Sequence, residues 1–309
     1  MPGHIAMDLA PIVLFVYNRA WHTEQTLNAL AANALASESI LYIYADGPKN
    51  GATAETLARI SEVGQVIRKK KWCRQVNIVE SDINRGLAGS VINGVTTVVK
   101  EFGKVIVLED DLLTHPFFLT YMNHYLNVYQ NEEQVISIYG YQYPVKKKID
   151  APFFLKGADC WGWATWKRGW DLFEADGQLL LNEISARNSS NEFNFDNSYD
   201  FTSLLRAQVR GEVDSWAIRW YASAFLLNKL TLYPPASLIS NIGVDGSGTH
   251  GDKITTALNT QHFDSFELKT VAVLEDQKNK KQIGLFFKGN PSPIKNVIKK
   301  IMSRYVRKD

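Results

Sequence analysis

Two patterns of apolar residues alternate from Ile12 to Leu108. Ile12-Val-Leu-Phe-Val-Tyr17, Ile40-Leu-Tyr-Ile-Tyr44, Val76-Asn-Ile-Val79 and Val105-Ile-Val-Leu108 are short runs rich in β-branched and aromatic residues. Such runs suit strands buried on both faces. Between them lie stripes at helical spacing. Leu27, Leu30, Ala34 and Leu35 form the first, with Thr23 placed to cap it. The second starts near Thr53 and carries Leu57, Ile60, Val63 and Ile67 inward; the third carries Leu87, Val91, Val95, Val98 and Phe102. Strands alternating with helices predict right-handed crossovers and a mainly parallel, Rossmann-like α/β sheet.

In such a sheet, ligands bind outside the carboxyl ends of the strands. Arg19, Asp46, Asp82 and the triplet Glu109-Asp110-Asp111 all follow predicted strand ends, so they are expected to gather along one edge. Beyond residue 130 the pattern is less regular. Val135 to Tyr139 and Leu230 to Tyr233 predict strands, and Trp216, Trp220, Ser223 and Leu227 mark a helix. Residues 182–200, rich in Asn and Ser, predict an exposed loop, and the glycine-rich residues 243–251 another. No internal repeat is visible. The organisation expected is a regular first half (1–130), an irregular second half of the same domain (131–275) and a basic C-terminal tail (276–309).

Composition narrows the class. Of 309 residues, 45% are apolar and 21% charged, which is ordinary for a globular chain. The 34 basic and 32 acidic side chains nearly balance, which argues against a nucleic-acid partner. With only Cys73 and Cys160, neither a disulfide framework nor a cysteine-rich zinc site is available, and a reducing, cytoplasmic setting is expected. In the last residues, Ile294, Val297, Ile298, Ile301, Met302 and Tyr305 recur at helical spacing among Lys295, Lys299, Lys300, Arg304, Arg307 and Lys308. A basic amphipathic helix of this kind either touches an anionic membrane face peripherally or docks on its own domain.

Three acids in a row at a strand end repel one another. A divalent ion such as Mn²⁺ or Mg²⁺, held by one or two carboxylates and substrate phosphates, would compensate them. A solvated acidic turn, or acids beside a helix N-terminus, is the plainer alternative.

Val107-Leu-Glu-Asp-Asp111 followed by Phe117-Phe118 resembles the strand and acidic motif of GT-A glycosyltransferases. Its Glu-Asp-Asp form is similar to that of N-acetylglucosaminyltransferase I and its relatives. Asn18-Arg19, Asp46 and Asn84-Arg85-Gly86-Leu87-Ala88 also resemble that fold and the family-two transferases. The similarity covers residues 11–130 in order and spacing. It continues more loosely through Trp161-Gly-Trp163, Asp214-Ser-Trp216, Ser240-Asn-Ile-Gly243 and Gly248-Thr-His250.

The resemblance implies a metal-dependent, inverting sugar transfer from a UDP-sugar to a glycan or lipid-linked saccharide. It implies that Asp46 accepts from the uracil ring nitrogen, where turn capping is the alternative. Arg19 and Arg85 would approach the base or diphosphate, unless they form ordinary surface pairs. Glu109 would lie near the donor sugar, Asp110 would contact ribose or sugar hydroxyls, and Asp111 would bind the metal, joined by His250 from a late loop. His250 is otherwise a plain loop histidine. Trp161, Gly162 and Trp163 would shape the sugar pocket. The spacing of Trp161, Trp163, Trp166 and Trp170 predicts one or two rings near the donor and the rest packed in the core. Asp214 would take the proton of the acceptor hydroxyl, against a helix-capping role. Other classes fit less well. A nucleotidyltransferase or methyltransferase would want a glycine-rich turn after the first strand, where Asn18-Arg19-Ala20-Trp21 stands. A non-catalytic carbohydrate-binding protein would not need the acidic triplet.

Overall fold

The computed structural model describes residues 8–243 and 266–289. The first half alternates strand and helix as expected. β1 (Ile12–Val16), α1 (Ala20–Ala31), β2 (Ile40–Ala45), α2 (Ala54–Arg68), β3 (Gln75–Glu80), α3 (Gly86–Phe102) and β4 (Lys104–Glu109) follow in order. Then come β5 (Leu112–Thr114), α4 (Phe118–Val128), β6 (Val135–Tyr139), β7 (Phe153–Lys156), β8 (Trp163–Trp166) and α5 (Lys167–Trp170). The chain continues through α6 (Gly177–Ala186), α7 (Ser190–Phe193), α8 (Phe201–Val209), α9 (Trp216–Leu226), β9 (Leu230–Tyr233), β10 (Ile239–Asn241) and α10 (Gln277–Gly289).

Eight strands form one sheet in the order β3-β2-β1-β4-β8-β6-β9-β7. β3, β2, β1 and β4 are mutually parallel, and β8 runs antiparallel between β4 and β6. β9 is parallel to β6, and β7 antiparallel to β9. The result is the mainly parallel α/β sheet with an irregular second half that the sequence predicts. The strand of the second half that meets β4 runs backward, so the segment just before Trp163 lies over the carboxyl end of β4. All five residues of β1 are buried, as expected for a strand covered on both faces.

Several local readings change. Thr23 does not cap α1, because the helix starts earlier, at Ala20; Thr23 is buried in the first turn and its hydroxyl donates to the Arg19 carbonyl at 2.9 Å. Thr53 does cap α2, accepting from the Thr56 amide. Only the C-terminal part of α2 packs inward, through Val63 and Ile67, while Leu57 is 47% exposed. Residues 182–200 are not an open loop: they finish α6, form α7 and bury Phe193 and Phe195. The Asn-rich composition instead supplies left-handed backbone positions, with Asn188 and Asn197 at φ of 51° and 57°.

Trp161, Trp163, Trp166 and Trp170 are all buried, more than their spacing predicts. β8 is an interior strand, so side chains of both parities are covered. The Trp163 ring stacks on Trp216 of α9 at 5.4 Å, while the Trp166 indole donates to the Leu126 carbonyl of α4 at 2.9 Å. Among the described residues no helix is long and apolar enough to cross a membrane. Residues 294–309, the expected basic helix, and His250 lie outside the described residues.

Candidate active site

A cavity of about 640 Å³ opens at the carboxyl ends of β1, β2 and β4. Its wall includes Arg19, Asp46, Gly86, Glu109 and Asp110, so residues far apart in the sequence meet along the expected edge. Arg85 and Asp82 are exposed and do not line it. The Arg85 guanidinium donates to Ser81 Oγ at 3.2 Å.

Asp46 ties the two loops on one side together. Its Oδ1 accepts from the amides of Gly47 at 3.0 Å and Arg85 at 2.8 Å, and its Oδ2 from the Gly86 amide at 3.0 Å. Its carboxylate therefore sits at the N-terminus of α3, where a negative charge is favourable. Turn capping is thus part of its role, and the cap also spans to the next loop. The Asn84 side chain returns a bond to the Gly47 carbonyl at 2.9 Å. Residue 47 must be glycine for this approach, since a Cβ there would lie 2.4 Å from the Ser81 carbonyl oxygen. A carboxylate has about four acceptor positions, so three amide bonds still leave Asp46 able to accept from a ligand.

On the other side, β4 delivers the acids into the interior. Glu109, Asp110 and Asp111 are all buried. Arg19, which directly precedes α1, reaches them as a fork. Its Nε donates to Asp110 Oδ2 at 3.0 Å, a second nitrogen bonds Asp110 Oδ1, and its Nη1 donates to Asp111 Oδ2 at 3.2 Å. The Thr26 hydroxyl donates to the Asp110 carbonyl at 2.9 Å, fixing α1 against the end of β4. The Ile242 amide donates to the Asp111 carbonyl at 3.0 Å, just after β10 pairs with β5. That bond and the β5–β10 pairing hold the backbone of the acids in place.

The metal expectation can be set against these residues. Adjacent carboxylates are hard oxygen donors of the kind Mg²⁺ and Mn²⁺ prefer, and such ions need only one or two of them beside substrate phosphates. Among the described residues, no group of three or more His, Cys, Asp or Glu side chains is arranged to hold an ion. The donor chemistry fits an ion completed by substrate phosphate. The expectation that the acids lack compensation is corrected, because Arg19 already pairs with two of them.

Gly162 lies just before β8, near the carboxyl end of β4. Its φ is +60°, a Cβ there would meet Ile239 at 2.5 Å, and its carbonyl accepts from the Gly140 amide at 2.7 Å. Trp161 packs edge-on against Tyr141 at 4.8 Å. Neither Trp161 nor Trp163 lines the cavity. The Cys160 thiol is pushed up by burial and then by Glu109 and Asp159, so it lies in the field of both carboxylates.

Asp214 precedes α9 without capping it; Ser215 is the cap, its hydroxyl accepting from the Ile218 amide. The Asp214 side chain is 49% exposed, and its Oδ1 is 3.5 Å from Arg219. Its Oδ2 would be 3.9 Å from a Cβ on Gly86, which places it beside the cavity wall.

The sequence reading missed Tyr17, Lys49, Thr56, Arg59 and Ser90, which also line the cavity. Lys49 directly follows the turn after β2, and that position was the available signal. Burial, then the charge of Asp46, raises the Tyr17 hydroxyl above its ordinary range.

No family model matches the chain, and no curated protein does. Among solved structures it is similar to S. aureus TarS, at 12% identity over 77% of this chain, with a TM-score of 0.39. The chain spans 37% of the length of that protein. It is also similar to the mannosyltransferase PcManGT from Pyrobaculum calidifontis in complex with GDP-Man and Mn²⁺, at 13% identity, 72% and 73% coverage, and a TM-score of 0.39. A third likeness is to a UDP-glucose pyrophosphorylase complexed with UDP-glucose, at 10% identity, 53% and 79% coverage, and a TM-score of 0.30. These likenesses are distant, and the functional reading rests on the residues of the cleft.

Proposed function

We propose that the chain transfers a sugar from a UDP-sugar to a glycan or lipid-linked saccharide acceptor, with inversion and with the help of Mn²⁺ or Mg²⁺. The observation that carries this reading is the cleft itself. It sets an amide-bound carboxylate, Asp46, and an arginine fork on buried acids at opposite sides of one cavity at the sheet edge.

Asp46 and Tyr17, on the cavity wall, would meet a nucleobase, and Lys49 and Arg59 add positive charge on that wall. Arg19, now bonded to Asp110 and Asp111, would meet a diphosphate, since guanidinium matches phosphate oxygens in pairs. Arg85, held at Ser81 on the outer surface, would act only by turning inward. Asp110 and Glu109 supply acceptors for ribose or sugar hydroxyls, and Asp111, with His250, would hold the ion. When bound, the ion supplies charge neutralisation to the departing diphosphate. Trp161, Gly162 and Trp163 would shape the sugar side from outside the lining of the cavity described above. Asp214, freed from capping by Ser215, is the carboxylate placed to accept the acceptor proton as the new bond forms.

A panel of nucleotide sugars, each with and without Mn²⁺, tests the reading by slow donor hydrolysis and thermal stabilisation. A UDP-sugar should be cleaved to UDP only with the ion, and should stabilise the fold; at 100 times Kd the stabilisation is about 2.7 kcal/mol. No stabilisation and no cleavage across the panel would sink it.

A further inference from the structure

Helical spacing divides the side chains of α10 between two faces. Ile283, Gly284 and Phe287 are buried, and the Phe287 ring meets Tyr143 at 5.1 Å and Phe195 at 5.3 Å. Lys280 points the same way: its side chain is 8% exposed, and its Nζ lies 3.2 Å from Asp196 and 3.7 Å from Glu275. Lys278, Lys281, Leu285 and Lys288 recur at helical spacing on the opposite face and are all exposed.

A solvated helix face ordinarily mixes both signs of charge and pairs them one turn apart. This face does not. Between Gln277 and Gly289 the helix holds no Asp or Glu. The two acids just before it are engaged elsewhere. Asp276 accepts from the amide and the side chain of Asn279, both at 2.9 Å, and Glu275 accepts from the Lys156 amide at 3.2 Å. Apolar exposure falls in the same place. Leu274, just before the helix, is 71% exposed and Leu285 61%; with Ile83 they are the three most exposed large apolar side chains among the described residues. A second group of lysines stands beside the end of the helix, because Tyr143, packed on Phe287, leads into the exposed run Lys146-Lys147-Lys148. Of these, Lys148 lies 3.6 Å from Asp150.

We propose that the outer face of α10, with the Lys146-Lys147-Lys148 loop, is a docking surface for an anionic lipid bilayer. Lysines around exposed leucines complement such a surface: the headgroups are negative, and the acyl boundary takes up apolar side chains. Lysine stems are long enough for the ammonium groups to stay among the headgroups while a leucine goes deeper. The chain has 34 basic and 32 acidic side chains, so the stripe is a local excess and not part of a general one. A further basic run, residues 68–74, is already partly neutralised, with Arg68 on Glu80 and Lys69 on Glu24, each at 2.5 Å. The surface goes beyond the sugar-transfer reading and shares no residue with the cleft.

The test is co-sedimentation of the full chain with vesicles of phosphatidylcholine, alone or mixed equally with phosphatidylglycerol, at low and high salt. Wild type should bind only the mixed vesicles, and high salt should weaken that binding sharply. Reversing the stripe, as Lys278→Glu, Lys281→Glu and Lys288→Glu together, should lower affinity by about 10²-fold or more, since each lysine near an anionic surface contributes roughly 5-fold. The triple variant Lys71→Glu, Arg74→Glu and Lys100→Glu changes net charge equally and should keep most of the binding. Leu285→Ser should weaken it too, most visibly in the part that persists at high salt. Should the reversed stripe not fold, the neutral Lys→Gln triple should show the same loss in smaller measure. Wild type that ignores mixed vesicles at low salt overturns the proposal. So does a stripe variant that binds as wild type does, or an equal loss in both triple variants, which marks a mere net-charge effect. Binding to a soluble anionic polysaccharide but not to vesicles overturns it as well. A chain that binds vesicles yet cleaves no sugar nucleotide sinks the sugar-transfer reading and leaves this surface standing.

Discussion

At the scale of single residues, the cleft reads as a division of labour between caps and acids. Asp46 is tied by three amides and Ser215 caps α9, so Asp214 has no backbone to hold. Asp214→Asn keeps the size and removes the negative charge, and with it both the ability to accept a proton and the ion pair with Arg219. If it is the base, transfer should fall by roughly 10²-fold or more, with UDP affinity and melting temperature near wild type. Near-normal transfer would pass the role to another acid. The acids and Asp46 were legible because each ends an apolar run. The Arg19 clamp was not: Arg19 and Asp110 are 91 positions apart, and a fork between them exists only once β1 and β4 are paired. Arg59 was missed for a similar reason, since the wall it joins is made by the fold of the loop into α2.

At the scale of elements, the first four strands and their helices were legible from periodicity alone, because apolar runs and helical stripes alternate there without interruption. The second half was harder to read. The spacing of the tryptophans around β8 predicts one or two rings near the donor and the rest packed, yet all four are buried, because an interior strand covers both parities. The Asn-rich stretch looks like a loop, yet it provides left-handed positions between short helices.

The turn into β8 carries a buried acid that periodicity could not reveal. Asp159 Oδ2 accepts from the hydroxyls of Tyr143 at 3.1 Å and Tyr233 at 2.8 Å, so it joins the segments that follow β6 and end β9. Burial raises its carboxyl to about 6, and the two tyrosine bonds oppose that only in part. A folded-state value above the unfolded one means the folded chain holds the proton more tightly. The associated stability is fully present below the ordinary carboxyl range and is lost as pH rises through about 6. Asp159→Asn stays neutral and should flatten that limb. Denaturant midpoints at low and neutral pH should show the variant gaining about 1–2 kcal/mol on wild type as pH rises. A pH profile identical to wild type would show that the carboxyl titrates in its ordinary range.

At the scale of the whole molecule, one continuous sheet joins a regular first half to an irregular second half through the β4–β8 pairing. That pairing brings the turn before Trp163 over the end of β4. The sequence predicted the edge because strand ends in a parallel sheet share a side. It could not predict the backward strand that closes the edge, since direction is set by tertiary pairing and leaves no periodic trace.

The most direct measurement is calorimetric titration of UDP into the full chain, with and without Mn²⁺, for wild type and Asp111→Asn. Wild type should bind UDP at least about 10-fold more tightly with the ion. Asp111→Asn should lose most of that gain yet keep its fold, because Arg19 retains both bonds to Asp110. UDP affinity that ignores Mn²⁺, or an Asp111→Asn variant that responds to Mn²⁺ as wild type does, would contradict a metal-assisted diphosphate site at the end of β4.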